Sequence, residues 1–325
     1  MSQGTTFRPA NASDLPRVLP LLVPDPASPL THYGYRERLA SGEYRPEWTW
    51  LAETDGAVSA LGVWWGDTAP DALDALLAPP ALPRDQRAAL AGTLIAAAHA
   101  AFTQSSSRTI PAFHLILPPD WRSRPDVVTA LSWRWDAALR AGLTDELERL
   151  RFEWRASSGF FRGPSLPRGS GRLTFRREPD DEVFADLFRR TLTGTLDATT
   201  RRTAAAVGAA AQARADVAFY RDRMRGHRDW WRVAELPGGE PVGFAVPSRN
   251  SDVAVVGYIG VLPEHRGHGY IDDILAETTR VLVAETGTEV IQADTDLANQ
   301  PMAAAFERLG YVNFGRRVVL SAPAG

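Results

Sequence analysis

An apolar segment, Val253–Val261, leads into a glycine-rich turn, Leu262–Gly269, and a helix is predicted directly after it. Glycine lets a backbone bend tightly and approach a ligand closely. The first N–H groups of a helix have no partner within the helix and lie at the positive end of its dipole, so they bind diphosphates well. Arg266 adds a fixed positive charge to the turn. The pattern predicts a phosphate-binding cradle at residues 266–271.

The basic and sulfur-containing residues exclude several kinds of chemistry. All 36 basic residues are arginine, because the sequence contains no lysine, and this excludes a lysine-dependent phosphate loop, a lysine Schiff base and a lysine general base. The sequence contains no cysteine, which excludes disulfides and thiolate catalysis. His265 and His268 lie in the glycine-rich turn without an adjacent third ligand, so we expect no metal site.

The composition is that of an ordinary globular protein. A net charge of −3 argues against a general nucleic-acid or membrane-surface binder. No stretch approaches 18 consecutive apolar residues, and the N-terminal residues show no signal-peptide pattern. We therefore expect a cytoplasmic protein without nucleic-acid or membrane partners. The sequence leaves monomer and homodimer equally open.

The elements that position the glycine-rich turn belong to an internal repeat. Thr6–Arg8 recurs as Thr174–Arg176, and Ala141–Leu143 is echoed by Leu309–Tyr311 at the same offset. The periodicity of apolar residues predicts strands alternating with helices in both halves, and hence an α/β fold with a mixed sheet. The strands are predicted at 5–8, 48–53, 57–65, 112–117, 147–155, 173–176, 230–236, 241–247, 253–261, 290–294 and 316–321. A first helix is predicted after the first strand, capped by Asn11 or Ser13. Further helices are predicted at 86–102, 127–141, 181–193, 200–225, 269–286 and 301–309.

Residues 261–269, Val-Leu-Pro-Glu-His-Arg-Gly-His-Gly, resemble the acetyl-CoA signature of the GNAT N-acetyltransferase superfamily. Asn299–Met302, followed by Ala305–Tyr311, is similar to the later cofactor-facing helix and terminal strand of that family. Phe7–Ala10 is similar to its first strand, and Asp14 and Leu15 to the start of its first helix. The resemblance covers nearly the whole chain, as two copies.

The resemblance implies two tandem GNAT-like domains, each a mixed central sheet flanked by helices. Residues 1–156 form the first copy, 157–171 a linker rich in Gly, Ser and Pro, and 172–325 the copy with the acetyl-CoA site. In the first copy, Pro79–Asp85 stands where the glycine-rich turn is expected, and its prolines lack the N–H donors that a diphosphate needs. The first copy is therefore predicted to be degenerate.

The resemblance also implies roles for individual residues. Backbone groups of Ile259 and Val261, on either side of Gly260, pair with the pantetheine arm, and the N–H of Val261 polarises the thioester carbonyl. Asn299 forms a hydrogen bond near the pantetheine. The diphosphate is held by residues of the turn and of the first turn of the helix, namely Arg266, Gly267, His268, Gly269, Tyr270 and Ile271.

Two positions depart from the family pattern. Ile271 stands where the family prefers Gly or Ala. Phe306 stands where many members place a Tyr that protonates the leaving thiolate. We therefore expect acid assistance from Tyr311 or from water, or a thiolate that leaves unaided.

Two carboxylates, Asp294 and Asp296, lie at the end of a predicted strand beside the expected cleft. Either could be the general base for an attacking amine, and together they could bind a cationic substrate. Asp252, Glu235 and Tyr258 are further candidates for the base. The alternative for Asp294 and Asp296 is that they cap the helix beginning near Asn299 or face water.

The implied activity is transfer of an acetyl group from acetyl-CoA, as co-substrate, to a primary amine of a small molecule. The amine attacks directly in the C-terminal domain, without a metal. A CoA-binding regulatory or scaffold protein without chemistry is the alternative, which Phe306, Ile271 and the degenerate first copy favour. A third interpretation is a dinucleotide-binding module that uses the same turn, with Glu289 as its acidic residue.

Overall fold

The computed structural model describes residues 4–105, 110–156, 167 and 169–323. The chain packs into two compact units: unit 1 contains residues 1–148 and 315–325, and unit 2 contains residues 149–314. Most of the predicted linker, 157–166 and 168, lies outside the described residues, and the sequence-based domain boundaries stay a prediction. Within the described part of the chain, no helix combines the length and apolarity needed to cross a membrane.

The first half of the chain alternates strands and helices as its periodicity predicts. Its strands are β1 (Thr6–Pro9), β2 (Tyr44–Thr54), β3 (Ala57–Gly66), β4 (Pro70–Leu77), β5 (Ala112–Leu117) and β6 (Asp145–Arg155). Its helices are α1 (Leu15–Val18), α2 (His32–Ser41), α3 (Arg84–Ser105) and α4 (Pro125–Arg140). Of these elements, α2 and β4 were not predicted.

The second half repeats this order with longer helices before its first hairpin. Its strands are β7 (Thr174–Arg176), β8 (Arg232–Glu235), β9 (Pro241–Arg249), β10 (Ala254–Val261), β11 (Val290–Asp296) and β12 (Val312–Ser321). Its helices are α5 (Asp181–Thr191), α6 (Ala198–Val207), α7 (Ala209–Asp222), α8 (Tyr270–Thr286) and α9 (Gln300–Arg308). The single helix predicted over 200–225 is wrong, because Gly208 has a φ of 89° and separates α6 from α7.

Each unit is completed by a strand from the other half of the sequence. In unit 1, β1 to β5 lie in order and β5 pairs with residues 316–320 of β12 in antiparallel fashion. In unit 2, β7 to β11 lie in order and β11 pairs with residues 149–155 of β6, also antiparallel. In both sheets the fourth and fifth strands are parallel and the other pairs are antiparallel. Neither half of the sequence therefore contains a complete unit.

The core of unit 1 contains a buried histidine. His99, on α3, is 5% exposed and packs against Trp64 and Phe102, with ring centroids 5.9 and 6.4 Å away. Neither ring nitrogen has a hydrogen-bond partner among the described residues. Burial lowers the pKa of His99 to about 4, because a charged imidazolium cannot be solvated there.

We expect a fragment of residues 172–314 to fail to fold, whereas a fragment of residues 145–314 folds. The shorter fragment lacks the seven residues of β6 that pair with β11, and it therefore exposes an unpaired strand edge. Size-exclusion chromatography and thermal unfolding followed by circular dichroism would compare the two. A monomeric, cooperatively unfolding 172–314 fragment would contradict the assignment of β6 to unit 2.

We expect the stability of the protein to fall as the pH drops from about 6.5 toward 4, partly because of His99. The folded pKa lies below the unfolded value, so the unfolded chain takes up a proton in this range that the folded chain does not. At pH 4.5 this linkage corresponds to roughly 2–3 kcal/mol.

Urea unfolding of the wild type and of His99→Phe would be compared from pH 7.5 to 4.5. The variant should lose less stability on acidification. Parallel pH dependences for the two proteins would show that His99 remains uncharged in both states or is solvated when folded.

Candidate acyl-transfer site

The hydrogen-bonded ladder between β10 and β11 is short. The two parallel strands are in register at Ala254–Ile291 and Val255–Gln292, and among the described residues the pairing stops there. β10 nevertheless continues to Val261, and β11 continues to Asp296. The carboxyl ends of both strands therefore present backbone edges that do not pair with each other, and such edges can receive an extended ligand as an added strand.

A bulge in β10 accounts for the early end of this ladder. The register between β10 and β9 shifts between Val255 and Tyr258, and Gly257 has a φ of 70°. A Cβ atom on Gly257 would lie 2.0 Å from the carbonyl oxygen of Val246, so only glycine fits this position. A bulge increases the local bend and twist of a strand. It therefore turns the carboxyl half of β10 away from a straight continuation of the ladder.

Beyond the bulge, Val261 and Ile259 present their backbone groups on the side of β11. The N–H of Leu262 donates to the carbonyl of Val242 on the β9 side at 2.9 Å. Because neighbouring residues in a strand direct their N–H groups to opposite edges, the N–H groups of Val261 and Ile259 face away from β9. Gly260 lies between them and is buried.

The turn before α8 leaves the start of that helix open. Gly267 and Gly269 have φ values of 83° and 73°, and no side chain caps the helix at Gly269. A Cβ atom on Gly267 would have no neighbour within 4 Å. His268 stacks on Tyr270 at 5.7 Å, and Ile271 is half-buried in the first helical turn. The exposed N–H groups and the helix dipole make this position suitable for an anion.

Arg266 holds the turn in place rather than projecting from it. Its guanidinium donates to the carbonyls of Val261, Thr193 and Thr191 at 3.2, 2.7 and 2.9 Å. These bonds tie the turn to the C-terminal end of α5. The charge stays near the turn because these partners are neutral.

A second arginine, which the sequence did not reveal, lies beside the start of α8. Arg172 donates to the carbonyl of His268 at 2.9 Å and pairs with Asp273 at 2.8 Å. The other acidic residue of the first turn, Asp272, pairs with Arg308 at 2.7 Å. Both carboxylates are thus neutralised by arginine, so they do not prevent an anion from approaching the helix. Arg172 follows a Gly/Ser/Pro-rich segment, and nothing in its spacing signals this position.

The two candidate carboxylates of β11 have different surroundings. Asp296 is 2% exposed, accepts from Arg149 at 2.7 Å and accepts from the backbone N–H of Ala198 at 2.7 Å. Arg149 also pairs with Asp197, the N-cap of α6, at 2.6 Å. Asp294 is less buried and lies 3.6 Å from Arg151. Asp296 therefore holds the start of α6, not the helix near Asn299 that its spacing suggested.

The remaining predicted residues have structural contacts. Asn299 caps α9 by accepting from the N–H of Met302 at 3.4 Å. Phe306 is buried and stacks on Phe152 at 5.0 Å. Tyr311 is buried, and its hydroxyl lies 2.6 Å from that of Thr279.

Thr279 donates its own proton to the carbonyl of Leu275, so the Tyr311 hydroxyl is the donor in this pair. Burial raises the pKa of Tyr311 above its usual value. Of two other candidates for the base, Glu235 pairs with Arg176 at 2.6 Å, and Asp252 is exposed in a bend.

An aromatic cluster packs between β10 and the helices α5 and α7. Phe188 of α5 contacts Tyr258 with ring centroids 4.7 Å apart and stacks on Tyr220 of α7 at 6.2 Å. Asp216 lies one turn before Tyr220 on α7. Tyr258 was a candidate from the sequence, whereas Asp216 and Tyr220 were not. The available signal for these two was the spacing of Gln212, Asp216 and Tyr220, four residues apart on one helix face.

The corresponding ladder in unit 1 is equally short, and a buried arginine contacts its edge. β4 and β5 are in register at Ala72–Ala112 and Leu73–Phe113. Leu76 pairs with Gly62 as Val261 pairs with Gly243. Arg134, 1% exposed, donates to the Leu76 carbonyl at 2.9 Å and pairs with Asp25 at 2.5 Å.

Comparison with known proteins agrees with this architecture. The structure is similar to a GCN5-related N-acetyltransferase from Sphaerobacter thermophilus, with a TM-score of 0.57, 13% identity and coverage of 97% of this chain and 94% of that chain. It is also similar to a tandem GNAT protein from the clavulanic acid biosynthesis pathway, with a TM-score of 0.54, 20% identity and coverage of 99% and 100%. At these identities the similarity shows the fold.

No curated protein matches the chain significantly. Residues 200–311 match the model of the acetyltransferase (GNAT) family. This segment contains β10, the glycine-rich turn, α8 and β11. Residues 200–311 of unit 2 are therefore similar to the acetyltransferase (GNAT) family, and the fold of the chain is similar to that of a tandem GNAT protein.

Proposed function

We propose that unit 2 transfers an acetyl group from acetyl-CoA to a primary amine of a small molecule. The observation that carries this proposal is the short β10–β11 ladder, which leaves the carboxyl half of β10 unpaired with β11. This half of β10 leads through the glycine-rich turn to the uncapped start of α8. A strand edge and a helix N-terminus at adjacent positions suit a ligand with an amide-containing arm and a diphosphate. The match of residues 200–311 to an acetyltransferase family supports the same conclusion.

The residues around α8 fit the diphosphate of CoA. The first N–H groups of α8 and the two left-handed glycines, Gly267 and Gly269, provide donors and space. Arg172 and Arg266 contribute positive charge, while their bonds to backbone carbonyls hold the turn rigid. His268, Tyr270 and Ile271 complete the contact surface.

The free edge of β10 fits the pantetheine arm and the acyl group. Acetyl-CoA supplies an activated acyl group as a thioester. Ile259 and Val261 offer backbone groups to the amides of the arm, and Asn299 lies at the start of α9 with its amide available to the same ligand. The N–H of Val261 acts as the donor that stabilises negative charge on the carbonyl oxygen during attack.

We assign neither Phe306 nor Tyr311 to protonation of the leaving thiolate. Phe306 has no proton to donate, and the Tyr311 hydroxyl is committed to Thr279 within the core. Protonation of the sulfur from water accounts for product release without either residue.

We assign Asp296 a structural role. Asp294 is the more exposed of the two carboxylates. Asp296 joins Arg149 to the start of α6 through two short hydrogen bonds. These contacts fix the start of α6, which packs against α7. A residue so fully engaged is poorly suited to exchange protons with a substrate.

We propose that unit 1 does not bind CoA. The carbonyl of Leu76 accepts from Arg134, as that of Val261 accepts from Arg266, but Arg134 is buried and paired with Asp25, whereas Arg266 belongs to the glycine-rich turn. Residues Pro79–Pro83 replace the glycine-rich turn. One CoA per chain is therefore the expected stoichiometry.

Asp296→Asn should lower the free energy of unfolding by about 2 kcal/mol, because Arg149 loses a buried charged acceptor. Asp294→Asn, the matched variant on the same strand, should cost less, since Asp294 lies farther from its arginine. Urea denaturation of both variants checks this ranking. If Asp296→Asn has unchanged stability but no turnover, the structural role is contradicted and Asp296 is again a candidate catalytic residue.

The function is tested by calorimetric binding of CoA and by release of free CoA thiol from acetyl-CoA. The amine panel is benzylamine, tyramine, 1,4-diaminobutane, spermidine and glucosamine. We expect one CoA site and amine-dependent thiol release. Tight CoA binding without turnover on this panel would favour the CoA-binding regulatory or scaffold protein instead.

Gly267→Asp should weaken CoA binding roughly tenfold or more, or about 1.4 kcal/mol, because it adds a carboxylate beside the diphosphate. Gly267→Asn is the matched control, since Asn tolerates a positive φ as Asp does but carries no charge. Equal affinities of the two variants for CoA in calorimetry would contradict the proposed diphosphate site.

A further inference from the structure

Asp216 is a half-buried carboxylate without an arginine partner among the described residues. In the described part of the chain, its carboxylate accepts one hydrogen bond, from the side-chain amide of Gln212 at 2.8 Å, one turn earlier on α7. The other acidic groups nearby are paired: Asp197 and Asp296 both contact Arg149. In a chain with 36 basic residues, all arginine, an enclosed carboxylate left without a cation is unusual. This suggests that a ligand supplies the cation that pairs with Asp216.

Asp216 belongs to a surface that extends to the carboxyl end of β10, where Val261 lies. On α7 it lies one turn before Tyr220, whose ring stacks on Phe188, and Phe188 contacts Tyr258. Tyr258 lies three residues before Val261 on β10. Its ring lies 3.3 Å from the position that a Cβ atom on Gly260 would occupy. Asp216 and the proposed donor at Val261 are thus connected through one aromatic cluster.

Of the ionisable side chains in this cluster, Asp216 is the one whose protonation state changes near neutral pH. Burial raises the pKa of Tyr258 to about 12 and raises that of Tyr220 above its usual value, so both phenols stay protonated. Burial is also the main cause that raises the pKa of Asp216 to about 6, and the charge of Asp197 adds to it. The charged or titratable groups that face this cluster are Asp197 from the start of α6, Arg149 from β6, Tyr220 from α7, and Tyr258 and Arg266 from the β10 side.

The hydroxyl of Tyr220 has no hydrogen-bond partner among the described residues, although its ring is packed against Phe188 and Phe219. A phenol that can both donate and accept, one helical turn from an unpaired carboxylate, suits an alkylammonium group better than an anion or an apolar ligand. The aromatic rings of Tyr220 and Tyr258 also favour a cation over their faces.

We propose that Asp216 accepts a proton from the ammonium group of the acceptor, so that the substrates are primary amines that are cationic at neutral pH. This inference rests on the proposed acetyl transfer and identifies the class of its acceptor. Asp216, Tyr220 and Tyr258 form the acceptor-binding surface on the α7 face of β10. Asp216 is then a catalytic residue, and Gln212 is a positioning residue that orients its carboxylate.

The proton and electron balance of the step is complete. The ammonium loses one proton to the Asp216 carboxylate, which then releases it to water. The neutral amine nitrogen forms a bond to the thioester carbon, and the C–S bond breaks with its electron pair passing to sulfur. A second proton leaves the nitrogen and ends on the sulfur, giving the amide and the free CoA thiol.

The test compares the wild type with Asp216→Asn across pH, using acetyl-CoA and the amine panel defined above. For the wild type, kcat/KM should rise to a plateau with an apparent pKa of about 6, since the base must be ionised while the amine is still an ammonium ion. For Asp216→Asn, kcat/KM should be about 100-fold lower at pH 7. It should then rise roughly tenfold per pH unit toward the pKa of the amine, because only the free amine reacts.

A second measurement separates this role from a purely structural one. The raised pKa means that the Asp216 carboxylate destabilises the folded state as the pH rises through about 6. Asp216→Asn should therefore raise the melting temperature at pH 8, by roughly 3 °C or more, and leave it nearly unchanged at pH 4. Asp222→Asn on the same helix, where an exposed aspartate pairs with Arg221 at 2.7 Å, is the matched control and should change neither profile.

The outcomes are distinguishable. An Asp216→Asn protein with wild-type kcat/KM and the wild-type pH profile overturns the inference while leaving acetyl transfer intact. Loss of activity accompanied by a lower melting temperature at pH 8 and an unchanged shape of the pH profile also overturns it, because a structural residue behaves in this way. Absence of thiol release by the wild type with every amine contradicts the proposed function itself, and this inference with it.

Discussion

The early end of the β10–β11 ladder is the constraint on which the site depends. Two register pairs hold the strands together, and the bulge at Gly257 then redirects β10. A longer ladder would satisfy the backbone groups of Ile259 and Val261 within the sheet and leave no edge for a ligand. The bulge needs a residue without a Cβ atom, because Val246 approaches within 2.0 Å of that position. One glycine therefore determines whether the carboxyl end of the strand is structural or available for binding.

Arginine supplies the rigidity around this edge. Arg266 links the turn to the end of α5, Arg172 links the turn to the first residues of α8, and Arg149 links β11 to the start of α6. Each guanidinium has several donors in a fixed plane, so one side chain can join segments that are far apart in the sequence. In unit 1 a buried arginine, Arg134, donates to the carbonyl of Leu76, as Arg266 donates to that of Val261 in unit 2.

Strong local patterns made much of the fold predictable. The apolar run of β10, the glycine-rich turn and the helix after it were predicted from sequence and are present almost residue for residue. β4 was missed because its Asp and Ala residues have low strand propensity, and its position in the sheet outweighs that preference. The break at Gly208 was also missed, although a glycine within an alanine-rich helix was a signal.

The candidate site was less predictable, because it depends on contacts between distant segments. The spacing of Asp294 and Asp296 suggested an acid–base pair, but only the structure shows that Asp296 is bound to Arg149, 147 residues away. For Asp216, the spacing of Gln212, Asp216 and Tyr220 was visible in the sequence, but only the structure shows that no arginine among the described residues pairs with its carboxylate.

The exchange of strands between the two units has a consequence for how this protein forms in the cell. Unit 1 requires residues 316–320 beside β5, and these are synthesised after the whole of unit 2. Closing a loop of this length slows folding more than it reduces stability. During translation, the first unit therefore waits with one sheet edge open until its last strand emerges from the ribosome, and chaperone protection is most needed in that interval.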